Sequence, residues 1–293
     1  MFSIAMTTFN GARYLREQID SILNQTIQDF ELVICDDCSS DETFEILCNY
    51  AKKNPRLKVH QNEYNLGFKD NFEKAISLCS GEYVALCDQD DIWSEDHLEV
   101  LYGMMGDCVL ACGNAEIIDR DGNDMGYTLQ EQQVLHKIPT DNLSMAYTII
   151  YFRNPFQGAS MMMKRELVEV VLPIPSDVKY HDVWIASLAC FSGGIKYTNR
   201  IINHYRMHGN NVTGNRDFRL SKGRKLVGKI LFAKNSINRD VIVLHIENRL
   251  ETLSEPEHCF LEEAKVFFAR MRFFCGRLRN IPFLIKHYSV IYG

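Results

Sequence analysis

Residues 82–91 read Glu-Tyr-Val-Ala-Leu-Cys-Asp-Gln-Asp-Asp, a short apolar run followed directly by three carboxylates. An apolar run of this length between polar residues predicts a buried strand, here Tyr83–Cys87. In an open α/β sheet, ligands bind beyond the carboxyl ends of the strands. Asp88, Asp90 and Asp91 are therefore predicted to lie at a ligand-binding edge.

The three carboxylates also predict what is bound there. Carboxylates this close repel one another unless a cation or strong hydrogen-bond donors neutralise them. Oxygen ligands suit Mg²⁺ or Mn²⁺, and such ions commonly keep water and phosphate oxygens as further ligands. The spacing Asp88-Gln-Asp90 therefore predicts a site for Mn²⁺ or Mg²⁺ and a diphosphate. A solvated acidic turn is the alternative.

The strand Tyr83–Cys87 is the fourth in a series that alternates with helices. Earlier strands are predicted over 2–7, 30–35 and Leu57–Gln61, and apolar residues at helical spacing separate them. Such alternation implies right-handed βαβ units and a mostly parallel, Rossmann-like sheet flanked by helices. The predicted fold class is therefore α/β.

The second half of the chain has a different pattern. Residues 109–118 are apolar and β-prone, and residues 126–151 have weak periodicity and are expected to form a long loop. Helices are predicted over 161–171 and 183–191, and a late strand over 201–205.

The composition favours a globular protein with one large α/β domain and an appendage. Of the 293 residues, 46% are hydrophobic and 24% are charged. The formal net charge of −6 gives no indication of nucleic-acid binding. The charge is uneven, because residues 1–214 are acidic and residues 215–293 are basic, which indicates two different roles.

No targeting or membrane-spanning segment is predicted. Residues 1–11 lack the basic and long apolar regions of a signal peptide, and no stretch approaches about 18 uninterrupted apolar residues. We therefore expect a cytoplasmic protein with reduced cysteines, and peripheral contact with the inner face of the cytoplasmic membrane stays open. Cys35 and Cys38 form a C-x-x-C, for which packing near a strand end is a simpler interpretation than zinc or redox chemistry.

Three other predicted strands also end in polar residues. Residues 7–11 (Thr-Thr-Phe-Asn-Gly) lack the G-x-G-x-x-G dinucleotide fingerprint, but threonine hydroxyls and a phenylalanine ring can hold a base. In residues 36–41, Asp36 or Asp37 can accept a hydrogen bond from a pyrimidine ring, whereas the serines and Asp41 also suit a helix cap. Residues 62–69 follow the third strand. Together, the four strand ends outline one pocket.

Several segments of the first hundred residues together resemble family 2 glycosyltransferases. They are residues 7–11, residues 22–26 (Ile-Leu-Asn-Gln-Thr), residues 36–43 (Asp-Asp-Cys-Ser-Ser-Asp-Glu-Thr), Asn65-Leu-Gly67 and Asp88-Gln-Asp-Asp91. The resemblance implies a GT-A fold, a nucleotide-sugar donor, a divalent cation and inversion at the anomeric carbon.

The family pattern also implies roles for individual residues. The nucleoside would be contacted by Thr7, Phe9 and Asp37. Asp90 would be the main metal ligand, and Asp88 would contact the ribose or the metal. The donor-binding set is predicted to be Thr7, Phe9, Asn10, Asp36, Asp37, Asn65, Lys69, Asp88 and Gln89.

Asp182 is implied as the general base. It lies in Tyr180-His-Asp-Val-Trp184, where the family usually shows Glu-Asp and His181 replaces the glutamate. Residues 204–211 (His-Tyr-Arg-Met-His-Gly-Asn-Asn) are similar to a bacterial subgroup that contains rhamnosyl- and galactosyltransferases of surface polysaccharides. The Q-x-x-R-W signature of processive synthases is absent, which predicts transfer of a single sugar.

Several of these assignments have structural alternatives. Asp182 can instead cap the following helix. His208 is predicted to bind the metal or a phosphate, and an ordinary loop histidine is the alternative. His181, Trp184 and Gly158 are predicted to contact the acceptor; core packing is the alternative for the tryptophan and a turn for the glycine.

The predicted domains are a GT-A catalytic domain over 1–214 and a basic, aromatic, helical region over 215–293. Residues 1–105 form the nucleotide-sugar half of the catalytic domain, and residues 106–214 form the acceptor half. Residues 264–293 contain six Lys/Arg and no Asp/Glu, with phenylalanines between them. Such a helix can lie on an anionic membrane surface. The alternative is that its aromatic face packs on the catalytic domain.

The sequence thus predicts an inverting, metal-dependent transfer of one sugar from a UDP- or dTDP-linked donor to a glycan or lipid-linked acceptor. A sugar nucleotidyltransferase is a rival, but residues 7–11 lack the basic residues of its phosphate loop. A non-catalytic scaffold is another rival, and the set Asp88, Asp90 and Asp182 argues against it. Self-association into a homo-oligomer is left open.

Overall fold

The computed structural model describes residues 1–133, 138–209 and 239–271, together with Asn280 and Pro282. Its strands are β1 (Phe2–Thr8), β2 (Phe30–Asp36), β3 (Leu57–Gln61), β4 (Tyr83–Cys87), β5 (Ile92–Trp93), β6 (Leu110–Ile118), β7 (Asp124–Thr128), β8 (Met161–Lys164) and β9 (Ile195–Arg206). The helices are α1 (Leu15–Leu23), α2 (Thr43–Lys53), α3 (Phe68–Leu78), α4 (His97–Met105), α5 (Leu129–Gln133), α6 (Asn142–Tyr147), α7 (Arg165–Val171), α8 (His181–Ser192), α9 (Arg239–Arg249) and α10 (Glu255–Met271).

The first four strands form the parallel part of one mixed sheet, in the order β3-β2-β1-β4. Phe2 of β1 aligns with Phe30 of β2 and with Tyr83 of β4, so the three strands run in register. The carboxyl ends of these strands therefore share one edge of the sheet. The predicted α/β fold and the predicted location of the strand-end segments are confirmed.

The remaining strands extend the sheet beyond β4 in the order β8-β6-β9-β5, and β7 pairs with β6. Both β4 and β6 are antiparallel to β8, β9 is parallel to β6, and β5 is antiparallel to β9. Because Ile92 of β5 aligns with His204 of β9, the end of β9 lies beside the acidic segment that precedes β5.

Both faces of the sheet are buried. Alternate residues of β1 point to opposite sides, so Ile4 and Met6 belong to one apolar cluster and Ala5 to the other. Burial on both faces explains why the central strands read as continuous apolar runs.

Two predictions for the second half of the chain were wrong. Residues 161–171 are not one helix, because Met161–Lys164 is a strand between β4 and β6 and only Arg165–Val171 is helical. Residues 126–151 are not one long loop, since they include α5, α6 and part of the π-helical turn Thr148–Phe152; residues 134–137 lie outside the described part. Buried apolar runs do not reveal their conformation through periodicity alone.

The described part of the C-terminal region packs on the helices that flank the sheet. Ile242, Val243 and Ile246 of α9 share an apolar cluster with Trp184 of α8. Phe267 and Phe268 of α10 are buried and contact Tyr151. The packing alternative therefore holds for these two phenylalanines. From residue 272 onward the structure describes only Asn280 and Pro282, so the basic and aromatic residues of that stretch lie outside the described part.

No helix in the described part of the chain is both long enough and apolar enough to cross a membrane.

Candidate active site

The exits of β1 and β4 are joined by a pair of hydrogen bonds. The backbone N–H of Phe9 donates to Gln89 Oε1 (2.8 Å), and Gln89 Nε2 donates to the Phe9 carbonyl (3.0 Å). Gly11 permits this arrangement, because a Cβ there would lie 2.0 Å from the Gln89 oxygen. The side chain of Phe9 is 46% exposed, and Thr7 is partly exposed at the same strand end. This leaves the Phe9 ring accessible to a ligand.

Asp36 and Asn10 organise the turns beyond β1 and β2. The Asp36 carboxylate is fully buried and accepts hydrogen bonds from Thr8, Ser39 and Gln61. Asn10 has a φ of 48°, which asparagine tolerates better than most residues, and its Oδ1 accepts from the Ser40 N–H. Direct ligand contact from Asp36, as the sequence predicted, is not available in this conformation, because the chain itself occupies its oxygens.

Asp37 shapes the loop that precedes α3. Its carboxylate accepts from the backbone N–H of Leu66 (2.7 Å) and of Gly67 (2.9 Å), and it is 2% exposed. Asn65 donates to the Asp37 carbonyl and accepts from the Gly67 N–H. Lys69, another predicted donor contact, binds Asp70 and the carbonyl of Pro175. These residues build the rim of the predicted pocket, with Asp37 beneath the surface.

Asp91 is a buried anchor for the acidic segment. It accepts from Asn203 Nδ2 (2.9 Å) and from the backbone N–H of Arg206 (3.0 Å), and Gln157 Nε2 lies 3.5 Å away. Burial and the negative charges of Asp90 and Asp88 raise the pKa of Asp91 well above its ordinary value. Asp91 therefore holds the acidic segment against the end of β9.

Asp90 and His208 lie side by side although 118 positions separate them. His208 Nε2 is 2.7 Å from Asp90 Oδ2, and both side chains are largely buried. The histidine ring stacks on Tyr14 of the segment before α1, at 5.1 Å between centroids. The structure therefore brings together two of the three residues that the sequence predicted as metal ligands.

Asp88 completes the acidic group and is partly exposed. Burial raises its pKa to about 7, and the negative charges of Asp90 and Asp182 act in the same direction. No bond from a described donor to the Asp88 carboxylate offsets this cost. An uncompensated carboxylate of this kind is stabilised by a cation.

A divalent cation fits the residues present. In the described part of the chain, no three His, Cys, Asp or Glu side chains surround a common point. Asp90 and His208 together offer one carboxylate oxygen and one imidazole nitrogen, with Asp88 beside them. Mg²⁺ and Mn²⁺ sites in nucleotide-dependent enzymes commonly use one or two protein ligands and complete the shell with phosphate oxygens and water.

Asp182 lies in the first turn of α8 and is not the N-cap, which is Tyr180. Its oxygens accept from the Val183 N–H (2.8 Å) and from Asn154 Nδ2 (3.2 Å). Burial raises its pKa to about 6. Because its charge also raises the pKa of Asp88, the two carboxylates share one electrostatic environment. The predicted base is thus close to the predicted metal site.

His181 directly precedes Asp182 at the start of α8. Its ring stacks on Phe72 at 4.1 Å, and neither ring nitrogen has a hydrogen-bond partner in the described part of the chain. Burial lowers its pKa to about 3, so the ring is neutral at pH 7. A Cβ on Gly158 would lie 2.9 Å from His181 Nε2. The close approach that Gly158 permits is therefore made by His181.

Trp184 requires a correction. Its side chain is completely buried and donates from Nε1 to the Val171 carbonyl (3.0 Å). Arg249 and His245 of α9 lie against its ring. The packing alternative describes this residue, and stacking on an acceptor is not available to it.

The sequence reasoning missed four contributors to the site. Asn154 binds Asp182, whereas Gln157, Asn203 and Arg206 surround the acidic segment. Arg206 stands inside the segment 204–211 described above, and Asn203 directly precedes it. Amide and arginine side chains are also common in ordinary loops, so the residue types alone do not mark these positions as part of a site.

Comparison with known sequences finds relatives that are named as glycosyltransferases. The chain is 26% identical over 263 residues to an uncharacterised glycosyltransferase of Haemophilus influenzae, which covers 86% of this chain and 80% of that protein. It is 36% identical over 124 residues to the Escherichia coli UDP-Glc:α-D-GlcNAc-diphosphoundecaprenol β-1,3-glucosyltransferase WfgD, covering 41% of this chain and 48% of WfgD.

Solved structures show the same fold. Staphylococcus aureus TarS residues 1–349 in complex with UDP superposes with a TM-score of 0.61 at 18% identity, covering 92% of this chain and 70% of that one. The mannosyltransferase PcManGT of Pyrobaculum calidifontis, in complex with GDP-Man and Mn²⁺, gives a TM-score of 0.58 at 18% identity, covering 97% and 75%. These likenesses support the GT-A fold.

The family model "Glycosyl transferase family 2" matches residues 3–172, which is more than half of the chain. This match disfavours the nucleotidyltransferase reading. The protein is therefore a glycosyltransferase that belongs to glycosyl transferase family 2.

Proposed function

We propose that this enzyme transfers one sugar, with inversion, from a UDP- or dTDP-linked donor to a glycan or lipid-linked acceptor in bacterial polysaccharide or glycoconjugate synthesis. The observation that carries the proposal is the contact between Asp90 and His208, at 2.7 Å. The negative charge of Asp182, which contributes to the raised pKa of Asp88, supports a candidate base near this pair. The relative WfgD, by its name, acts on UDP-glucose and a lipid-linked sugar.

The donor would lie along the edge formed by the ends of β1 to β4. The exposed ring of Phe9 would stack on the base, and Thr7 would donate a hydrogen bond to it. Mn²⁺ or Mg²⁺, held by Asp90 and His208 with Asp88 alongside, would supply positive charge to the leaving diphosphate.

Asp182 would accept the proton of the acceptor hydroxyl as the new bond forms. The hydroxyl oxygen attacks the anomeric carbon on the face opposite the diphosphate, the carbon–oxygen bond to the diphosphate breaks, and nucleoside diphosphate leaves. Asn154 holds the Asp182 carboxylate in place through its 3.2 Å hydrogen bond. A pKa of about 6 leaves Asp182 mostly ionised at pH 7. It is also closer to pH 7 than the pKa of an ordinary aspartate, which suits a general base.

His181 would contact the acceptor as a neutral ring. A buried imidazole without partners costs about 1–3 kcal/mol for each unsatisfied group, and an acceptor hydroxyl would remove part of that cost. Contact of residues 264–293 with a membrane surface stays a prediction, and so does self-association.

A panel of nucleotide sugars, incubated with Mn²⁺ or Mg²⁺ and read by the release of nucleoside diphosphate, tests the proposal. We expect turnover with a UDP- or dTDP-sugar, and its loss in Asp182→Asn while UDP binding by calorimetry is retained. Asp107→Asn, which changes an exposed carboxylate away from the site, is the matched control. Binding of UDP without any turnover across the panel would favour a non-catalytic scaffold, and full transfer by Asp182→Asn would remove the role of Asp182.

A further inference from the structure

Arg206 is a buried cation whose guanidinium bonds the backbone of the acidic segment. Its side chain is 2% exposed. Its Nε donates to the backbone carbonyl of Asp90 (2.9 Å), and its Nη2 donates to Glu17 Oε2 on α1 (2.6 Å). The positive charge therefore lies behind the acidic segment.

Residues on either side of the guanidinium belong to the same arrangement. The backbone N–H of Arg206 donates to Asp91, and His208, two residues further on, reaches the Asp90 carboxylate. The ring of Tyr14 lies against both the Arg206 guanidinium (4.8 Å) and the His208 imidazole (5.1 Å between centroids). One strand end thus fixes both members of the Asp90–His208 pair.

We propose that Arg206, supported by Glu17, is a positioning residue that holds Asp90 and His208 in place to bind a divalent cation. Residues that orient metal ligands typically change metal affinity about 10- to 100-fold when they are replaced. Because the Arg206 Nε bonds the Asp90 carbonyl, it supports the Asp90 loop through the backbone and leaves the side chain of Asp90 to His208 and the ion. This inference rests on the proposed metal dependence and assigns a role that the family match does not give.

Lysine cannot replace this arginine. The two hydrogen bonds leave from different nitrogens of one rigid plane and run to Asp90 and to Glu17. A single ammonium on a flexible stem does not span both acceptors. Arg206→Lys therefore keeps the positive charge and removes the geometry.

The test is a titration of the purified full-length protein with Mn²⁺, with free Mn²⁺ read by electron paramagnetic resonance. We expect Arg206→Lys to weaken Mn²⁺ binding about 10-fold or more and Glu17→Gln to weaken it by a smaller factor. Binding of UDP in the presence of EDTA should be unchanged in both variants, which separates a loss of ion affinity from a general loss of structure. The matched control is Arg200→Lys. Arg200 lies on β9 like Arg206 but forms a surface ion pair with Asp96, so this variant should bind Mn²⁺ like the native protein.

A folded Arg206→Lys protein with native Mn²⁺ affinity would overturn the inference. Should Arg206→Lys fail to fold, Glu17→Gln decides, because Glu17 is 55% exposed and glutamine keeps a hydrogen-bond acceptor, so this variant is expected to fold. Native Mn²⁺ affinity in Glu17→Gln would then overturn the inference. A native protein that binds Mn²⁺ while the variants bind it equally well removes only the role of Arg206. A native protein that binds no Mn²⁺ removes the proposed metal dependence as well.

Discussion

Replacing Asp182 with asparagine should stabilise the folded protein at pH 8 while it ends sugar transfer. Burial raises the pKa of this carboxyl from 3.8 to about 6. At about 1.4 kcal/mol for each pH unit, the ionised carboxylate lowers the free energy of unfolding by about 3 kcal/mol. Asparagine carries no charge but has one acceptor oxygen, so it keeps one of the two hydrogen bonds and loses about 1 kcal/mol. The expected net gain is about 2 kcal/mol.

The sign of the effect fixes its pH dependence. A carboxyl whose pKa is raised on folding carries no penalty below its unfolded value of 3.8 and the full penalty above about 6. At pH 5, about half of the penalty is present. Urea unfolding followed by tryptophan fluorescence at pH 5 and pH 8 measures both quantities. Two results would contradict this prediction: a variant that is no more stable than the native protein at pH 8, or a gain in the free energy of unfolding that is the same at both pH values. Asp107→Asn, in an exposed loop, should show no such gain.

Three further substitutions test other parts of the structure. Cys38 has a φ of 61°, so Cys38→Gly should relieve backbone strain and raise the free energy of unfolding by up to about 1 kcal/mol; a lower value by urea titration contradicts this. Gly158→Ala places a Cβ 2.9 Å from the buried His181 ring and should cost about 1–3 kcal/mol and reduce kcat, and native turnover would show that the contact is dispensable. Trp184→Ala empties a fully buried site and should cost about 3–5 kcal/mol; loss of acceptor affinity without loss of stability, measured by KM and urea titration together, would restore the acceptor role.

The parallel half of the fold was predictable because its signals are local. The strands β1, β2 and β4 are short apolar runs, helices with a clear apolar face separate the first four strands, and polar residues mark every strand end. The segment Met161–Lys164 was not predictable in this way. Three consecutive methionines carry neither a twofold nor a helical period, and their pairing with β4 and β6 decides the outcome.

The site was predictable where a residue type is itself informative. Asp90, His208 and Asp182 stand out as groups that bind metals or protons, and the structure brings the first two of them into contact. Asp36 and Asp37 were harder to interpret, because an aspartate after a strand suits a ligand and a turn equally well. Only their hydrogen bonds to Thr8, Leu66 and other groups within the chain show that they build the pocket from beneath.

The position of β9 has a consequence for how the molecule is assembled during synthesis. The acidic segment leaves the ribosome with the first half of the chain, whereas Arg206 and His208 emerge more than a hundred residues later. Until β9 is added beside β5 and β6, Asp90 has no imidazole beside it and Asp91 has no strand to bond. The edge formed by β1 to β4 can fold early, but the Asp90–His208 contact is completed only when β9 arrives, so the pairing of these two residues is a late step in biogenesis.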